Sequence, residues 1–254
     1  MDALRSLEGR VALITGTGGG QGLEAALRFA AAGAIVVGCD QRGAGHADAK
    51  AQIEAAGGRA DFFDGVDLGD AKGAEDWVEA AAALHGRVDI LYNNASAARF
   101  APFGQMTLDD WSFTIRNELD ILFHVTRPAW SWLAKQGGVV INTSSVNGHA
   151  AGMPGCAAHA AAKGGVSALT RQLAQEGAAV GIRVVAISPG FIATPGTAEI
   201  ADNPALSAMV LERSLIKRPG RPEEVVELAV FLASAAAAYI TGTDIVVDGG
   251  RLVG

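Results

Sequence analysis

Val11-Ala-Leu-Ile-Thr15 runs straight into Gly16-Thr17-Gly18-Gly19-Gly20-Gln21-Gly22, and an alanine-rich helical pattern follows from Leu23 to Ala32 until Gly33 stops it. A β-rich run, a glycine turn and a helix in direct succession form the layout of a loop that cradles a pyrophosphate. Glycines let the backbone approach the phosphates with no Cβ in the way, and the helix N-terminus offers free N–H groups and its positive end. Ala34 to Cys39 reads as the second strand, closed by Asp40. An acid about twenty residues beyond such a loop accepts hydrogen bonds from the adenosine ribose hydroxyls. It also repels a 2′-phosphate, so Asp40 favours NAD over NADP even with Arg42 nearby.

Working outward, strand and helix keep alternating at the spacing of βαβ crossovers. A helix over Ala47 to Ala56 precedes a strand at Ala60 to Phe63; a helix over Ala71 to Leu84 precedes a strand at Val88 to Tyr92. Thr107 with Asp110 three residues on predicts an N-cap opening one long helix through Trp132. Val139 to Thr143, a helix from Ala157 to Ala179, Val184 to Ile187, a helix opened by Arg221-Pro-Glu-Glu224, and Ile245 to Val247 complete the series. The apolar run Ala229 to Ile240 reads as a core helix, too short for the ~20 residues a membrane span needs. No linker or repeat interrupts the alternation, so residues 1–254 are expected to form a single dinucleotide-binding and catalytic domain. Residues 192–217 read as an excursion over one end of the sheet, where a substrate lid would sit.

Half of the 254 residues are hydrophobic, 33 are glycine and the formal net charge is −7. That sign offers no general attraction for nucleic acid or an anionic membrane. The opening MDALRSLEGR has no apolar stretch resembling a signal peptide, and the default compartment is the cytoplasm. Cys39 and Cys156 have no metal-ligand spacing; Cys39 reads as a buried small hydrophobe.

Thr15, Gly16, Gly20 and Gly22 match a Thr-Gly-x-x-x-Gly-x-Gly pattern. Asn93-Asn94-Ala95-Ser96 matches Asn-Asn-Ala-Gly with serine at its end, and Pro189-Gly190-Phe191-Ile192-Ala193-Thr194-Pro195 and the ending Ile240 to Gly250 are equally typical. Together these motifs resemble the short-chain dehydrogenase/reductase family over nearly the whole chain. The resemblance implies a single-domain Rossmann fold, a doubly wound seven-stranded parallel sheet with helices on both faces. It also implies a homo-oligomer, tetramer or dimer. For the cofactor NAD it implies contacts from Gly16, Thr17, Gly20, Gln21 and Gly22 at the loop and from Asp40 and Asp67 at the adenosine end. Asn94, Lys163, Pro189, Gly190, Ile192 and Thr194 are implied nearer the nicotinamide.

The catalytic residues implied by the resemblance are a serine, matching Ser145, and a Tyr-x-x-x-Lys pair whose lysine matches Lys163. The tyrosine position holds His159. Residues four apart share a helix face, with Cβ atoms about 5–6 Å apart, so the geometry survives. The chemistry changes, because a free phenol titrates near ~10 and a free imidazole near ~6.5. Histidine can take an alcohol proton without cationic help, whereas the neighbouring lysine disfavours the imidazolium needed to reduce a ketone. The asparagine expected in the long helix is replaced as well: its position falls on Glu118, with Asn117 one residue earlier and turned about 100° away. Glu118 would compensate Lys163 or pair with His159.

His149 and Asn147 are expected to line the substrate pocket with Phe191. A metal held by His149, His159 and Glu118 lacks zinc-type spacing. His46, His85 and His124 read as surface or interface residues. The leading reading is an NAD-dependent oxidoreductase exchanging hydride with a secondary alcohol or ketone, its partner a small molecule. A redox-neutral lyase or isomerase with bound NAD, or an inactive dinucleotide-binding protein, stays open because fold alone does not separate them.

Overall fold

A computed structural model describes residues 6–254 of the chain. Seven parallel strands form one sheet in the order β3-β2-β1-β4-β5-β6-β7. They are β1 Val11–Thr15, β2 Ile35–Asp40, β3 Arg59–Asp64, β4 Ile90–Asn93, β5 Val139–Thr143, β6 Arg183–Pro189 and β7 Asp244–Val247. β1, β4 and β5 are buried along their whole length, which explains their unbroken apolar runs: a parallel sheet covered on both faces has no polar side to alternate. Chain order reverses between β1 and β4, and the crevice beyond their carboxyl ends is where such sheets hold ligands.

Helices α1 Gly20–Ala31, α2 His46–Ala55 and α3 Ala71–His85 make the first crossovers. α1 packs with α9 Pro222–Ala233 on one face, through Ala25, Ala26, Phe29, Val225, Val226 and Ala229. α3 lies on the other face with α5 Ile121–Gln136 and α6 Ala157–Gly177. The small side chains of α1 and α9 permit that close helix-on-helix contact.

The capping box at Thr107 forms: its side chain accepts the Asp110 N–H at 3.0 Å, and Asp110 accepts the Thr107 N–H at 3.3 Å. The helix it opens is not continuous. α4 Leu108–Ile115 passes into a π-helical turn at Arg116–Asp120 before α5 begins, and α5 carries Pro128 inside it. The apolar run Ala229 to Ile240 also departs from the expected single helix. α9 ends at Ala233, and Ser234 caps a short 3₁₀ turn at Ala235–Ala237 by accepting the Ala236 N–H. Residues 192–217 carry two short helices, α7 Ala198–Ala201 and α8 Pro204–Leu211. Among the described residues no helix is long and apolar enough to cross a membrane; Met1 to Arg5, where the leader reading begins, lie outside them.

Candidate active site

The glycine loop lies at the sheet's reversal point and is built around close approaches. A Cβ on Gly22 would stand 1.9 Å from the Gly16 carbonyl oxygen, and one on Gly16, whose φ is +75°, would stand 2.8 Å from Ala95 Cα. Asn94 fastens the loop from the end of β4, its side-chain N–H groups reaching the Thr15 and Gly16 carbonyls at 3.1 and 3.4 Å. At Gly19 a Cβ would meet nothing within 4 Å, so the backbone there faces open space. α1 has no side-chain cap and no acid in its first turn. Uncapped helix N–H groups behind an open, Cβ-free backbone suit a pyrophosphate.

At the end expected to hold the adenosine, Asp40 leans over the loop, accepting the Gly18 N–H at 3.1 Å and the Arg42 N–H at 2.9 Å. Asp67 accepts from Arg116 at 2.7 Å, Gln41 at 3.1 Å and the Gly69 N–H at 2.9 Å. Burial alone would raise its carboxyl, but Arg116 and these hydrogen bonds hold it below the usual range. Across the cleft, Thr194 Cβ lies 3.4 Å from where a Gly20 Cβ would stand. Gly190 comes within contact of Asp248, and buried Ile192 bridges to Gly220. Gln21 Oε1 is buried with no hydrogen-bond partner, and Thr17 is fully buried below the loop.

The candidate catalytic side chains converge from four segments. Ser145 follows β5, His159 and Lys163 lie on α6, Glu118 comes from the π turn and Ser96 follows β4. His159 Nδ1 is 2.7 Å from Glu118 Oε2, and His159 Nε2 is 3.4 Å from Ser145 Oγ. Ser96 donates to Glu118 Oε1 at 2.6 Å. Lys163 Nζ donates to the Thr143 carbonyl at 3.0 Å and lies 3.8 Å from Glu118 Oε1. Glu118 and Lys163 are 2% and 3% exposed, so each charge depends on the other. Burial pushes Glu118 up, yet the Lys163 charge, His159 and Ser96 together bring it below its ordinary value. Burial lowers Lys163, against the pull of Glu118.

The extra residue of the π turn aims Glu118 inward, while Asn117 donates back to the Phe113 carbonyl within its own helix. Neither of the chain's two tyrosines joins this cluster. Tyr92 is fully buried with its ring stacked on Phe29, and burial pushes its hydroxyl up to about 12; Tyr239 is fully exposed beyond α9.

Residues 16–251 match the family model described as enoyl-(acyl carrier protein) reductase. The chain is 37% identical over 248 residues to the 3-oxoacyl-[acyl-carrier-protein] reductase FabG of Thermotoga maritima, covering 97% of this chain and 99% of that one. It is 34% identical over 249 residues to the galactitol 2-dehydrogenase (L-tagatose-forming) of Cereibacter sphaeroides, covering 97% and 96%. Among solved structures, the RhlG/NADP active-site complex of Pseudomonas aeruginosa superposes with a TM-score of 0.93 at 31% identity, covering 99% of each chain. The chain belongs to the short-chain dehydrogenase/reductase family. It is a nicotinamide-dependent oxidoreductase, and the redox-neutral and inactive alternatives are not favoured.

Two histidines differ from the expectation. His149, placed in the substrate pocket by the sequence reading, turns its Nε2 to Ser188 and Asp244, each at 3.0 Å. His46 is a buried residue rather than a surface one. Its Nε2 lies 2.8 Å from Thr17 Oγ1 and its Nδ1 2.5 Å from Asp64 Oδ1, with its ring stacked on Phe62. His85 meets Asp61 at 3.2 Å and His124 meets the Leu68 carbonyl at 3.0 Å. Ser96, a serine where the pattern has glycine, is the donor to Glu118, a pairing signalled in the sequence by the two departures occurring together.

Proposed function

We propose that this enzyme interconverts a secondary alcohol and its ketone with NAD(H), using a His159–Glu118 dyad in place of a tyrosine. The observation that carries this reading is the His159 ring held between Glu118 and Ser145. Ionised Glu118 accepts from Nδ1–H, which leaves Nε2 of the neutral ring as an acceptor beside the Ser145 hydroxyl. A substrate oxygen placed between Ser145 Oγ and His159 Nε2 would receive a hydrogen bond from the serine and exchange its proton with the imidazole. The bound nicotinamide supplies hydride acceptance or donation at its C4. Glu118 also stands between the ring and the lysine, 2.7 Å from His159 Nδ1 and 3.8 Å from Lys163 Nζ. Lys163 would hold the nicotinamide ribose, with Gly16, Gly20, Gly22 and Asn94 shaping the pyrophosphate end.

NAD over NADP is supported by the Asp40 carboxylate, which already spans the Gly18 and Arg42 N–H groups where a 2′-phosphate would crowd it. A homo-oligomer is supported by exposed apolar side chains on α4 and α5, Leu108, Trp111 and Phe123 among them. The test of the dyad is pre-steady-state NAD reduction across pH for the parent, His159→Ala and His159→Tyr. His159→Ala should slow the chemical step by about 10²–10⁴-fold while sparing NAD affinity. His159→Tyr should retain some hydride transfer, with an altered pH profile. Parent and His159→Ala rates that coincide at every pH would remove His159 from the mechanism.

A further inference from the structure

Ser145, His159 and Glu118 stand in the order of nucleophile, base and orienting acid. The hydroxyl is 3.4 Å from Nε2, a reach that tightens when such sites fill, and Nδ1 is 2.7 Å from a buried carboxylate. This constellation is defined by roles and distances, not by fold or by order along the chain. Ser145 and His159 are each partly exposed, the His159 side chain at 15%, and exposed Phe100 lies against the imidazole with ring centroids 5.8 Å apart. The Ser145 oxygen accepts the Asn147 N–H at 3.2 Å, which leaves its own proton for His159. Neighbouring Ser144 is buried and bonded to the Lys163 carbonyl and to Ser167, so of the two serines Ser145 alone faces the base.

We propose that Ser145 is an acyl-accepting nucleophile through which this chain hydrolyses activated esters and thioesters, without nucleotide. Ser145 Oγ attacks the acyl carbon as its proton passes to His159 Nε2. The bond from the acyl carbon to the leaving oxygen or sulfur then breaks, and that atom takes the proton back from His159. Water, deprotonated by the same imidazole, cleaves the acyl–Ser145 ester and restores the hydroxyl. No electron is gained or lost, so the reaction is independent of the hydride reading.

The experiment treats the nucleotide-free full chain with a fluorophosphonate, which forms an Oγ–phosphorus bond with expulsion of fluoride, and follows p-nitrophenyl acetate cleavage in parallel. Intact mass should show one label per chain, and peptide mapping of the parent should place it on Ser145. Ser145→Ala should abolish both signals. His159→Ala, checked for its fold by circular dichroism, should slow them on the order of 10²–10⁴-fold. An unlabelled parent, a label elsewhere, or an undiminished rate in His159→Ala would overturn the proposal. NADH formation from alcohols is scored on the same preparation, so the two readings fail separately: NADH without label overturns this proposal and leaves the hydride reading standing, and label without NADH supports this proposal on its own.

Discussion

Replacing Glu118 with glutamine keeps the side chain's volume and an oxygen for Ser96 but removes the charge facing Lys163 and His159. Lys163 then keeps only the Thr143 carbonyl at 3.0 Å while remaining buried. Stranding one member of a buried ion pair costs roughly 3–5 kcal/mol. For a chain of this size that lowers Tm by roughly 6–20 °C, at about 2–4 °C per kcal/mol. The sign of the pH dependence follows from the acid's depressed titration. Glu118 stabilises the fold fully above the ordinary carboxyl value of 4.5 and progressively less as pH falls below it, so the parent should weaken in acid more steeply than Glu118→Gln. The double variant Glu118→Gln/Lys163→Met removes both charges, and stability should largely return while activity does not. Urea unfolding between pH 3 and 8, with single-turnover NAD reduction on the same samples, makes the measurement. If Glu118→Gln unfolds at the parent's midpoint and turns over with the parent's pH profile, the coupled buried charges assigned here play no part.

Asp40→Ala should narrow the gap between NAD(H) and NADP(H) affinity in fluorescence titrations; an unchanged ratio would show that this carboxylate does not choose the cofactor. Tyr92→Phe should leave turnover within about twofold of the parent, because the phenol is fully buried and His159 is the proposed proton carrier; a loss on the scale of a general acid, about 10²–10⁴-fold, would reverse that assignment. Placing aspartate at both Trp111 and Phe123 should shift the mass measured by light scattering towards the monomer, whereas an unaltered mass would move the subunit contact away from α4 and α5.

Where the sequence was legible, local chemistry and global fold agree. The β1–loop–α1 unit, the Thr107 capping box and the Pro222 helix start each depend on a few adjacent residues, and each appears where its pattern placed it, within a residue or three. The π turn was not legible, because one extra residue in a helix leaves the hydrophobic period nearly intact while turning Glu118 into the site and Asn117 out of it. The run from Ala229 to Ile240 misled because its alanines suit a helix throughout; the stop comes from the Ser234 cap, a tertiary choice. His46 looked solitary because Thr17 and Asp64 are distant in sequence and meet it only once β1 and β3 flank β2. The Ser145–His159–Glu118 contacts are of the same kind: residue types and helix spacing suggested the partners, but only the crossovers bring them within bonding distance.

Those crossovers also fix when the site comes into being. Its four donor segments span residues 96 to 163, and their positions depend on β1 pairing with β4 across 75 or more intervening residues, with β5 then adding to β4. Pairings so remote in sequence form late, because the entropy of closing long loops is lost before any contact rewards it. A partly folded chain can hold its α1 and α3 turns and still lack the Glu118–His159 bond. Regain of activity after dilution from denaturant should therefore trail the regain of helical signal, making turnover a clock for the last docking step rather than for the first collapse.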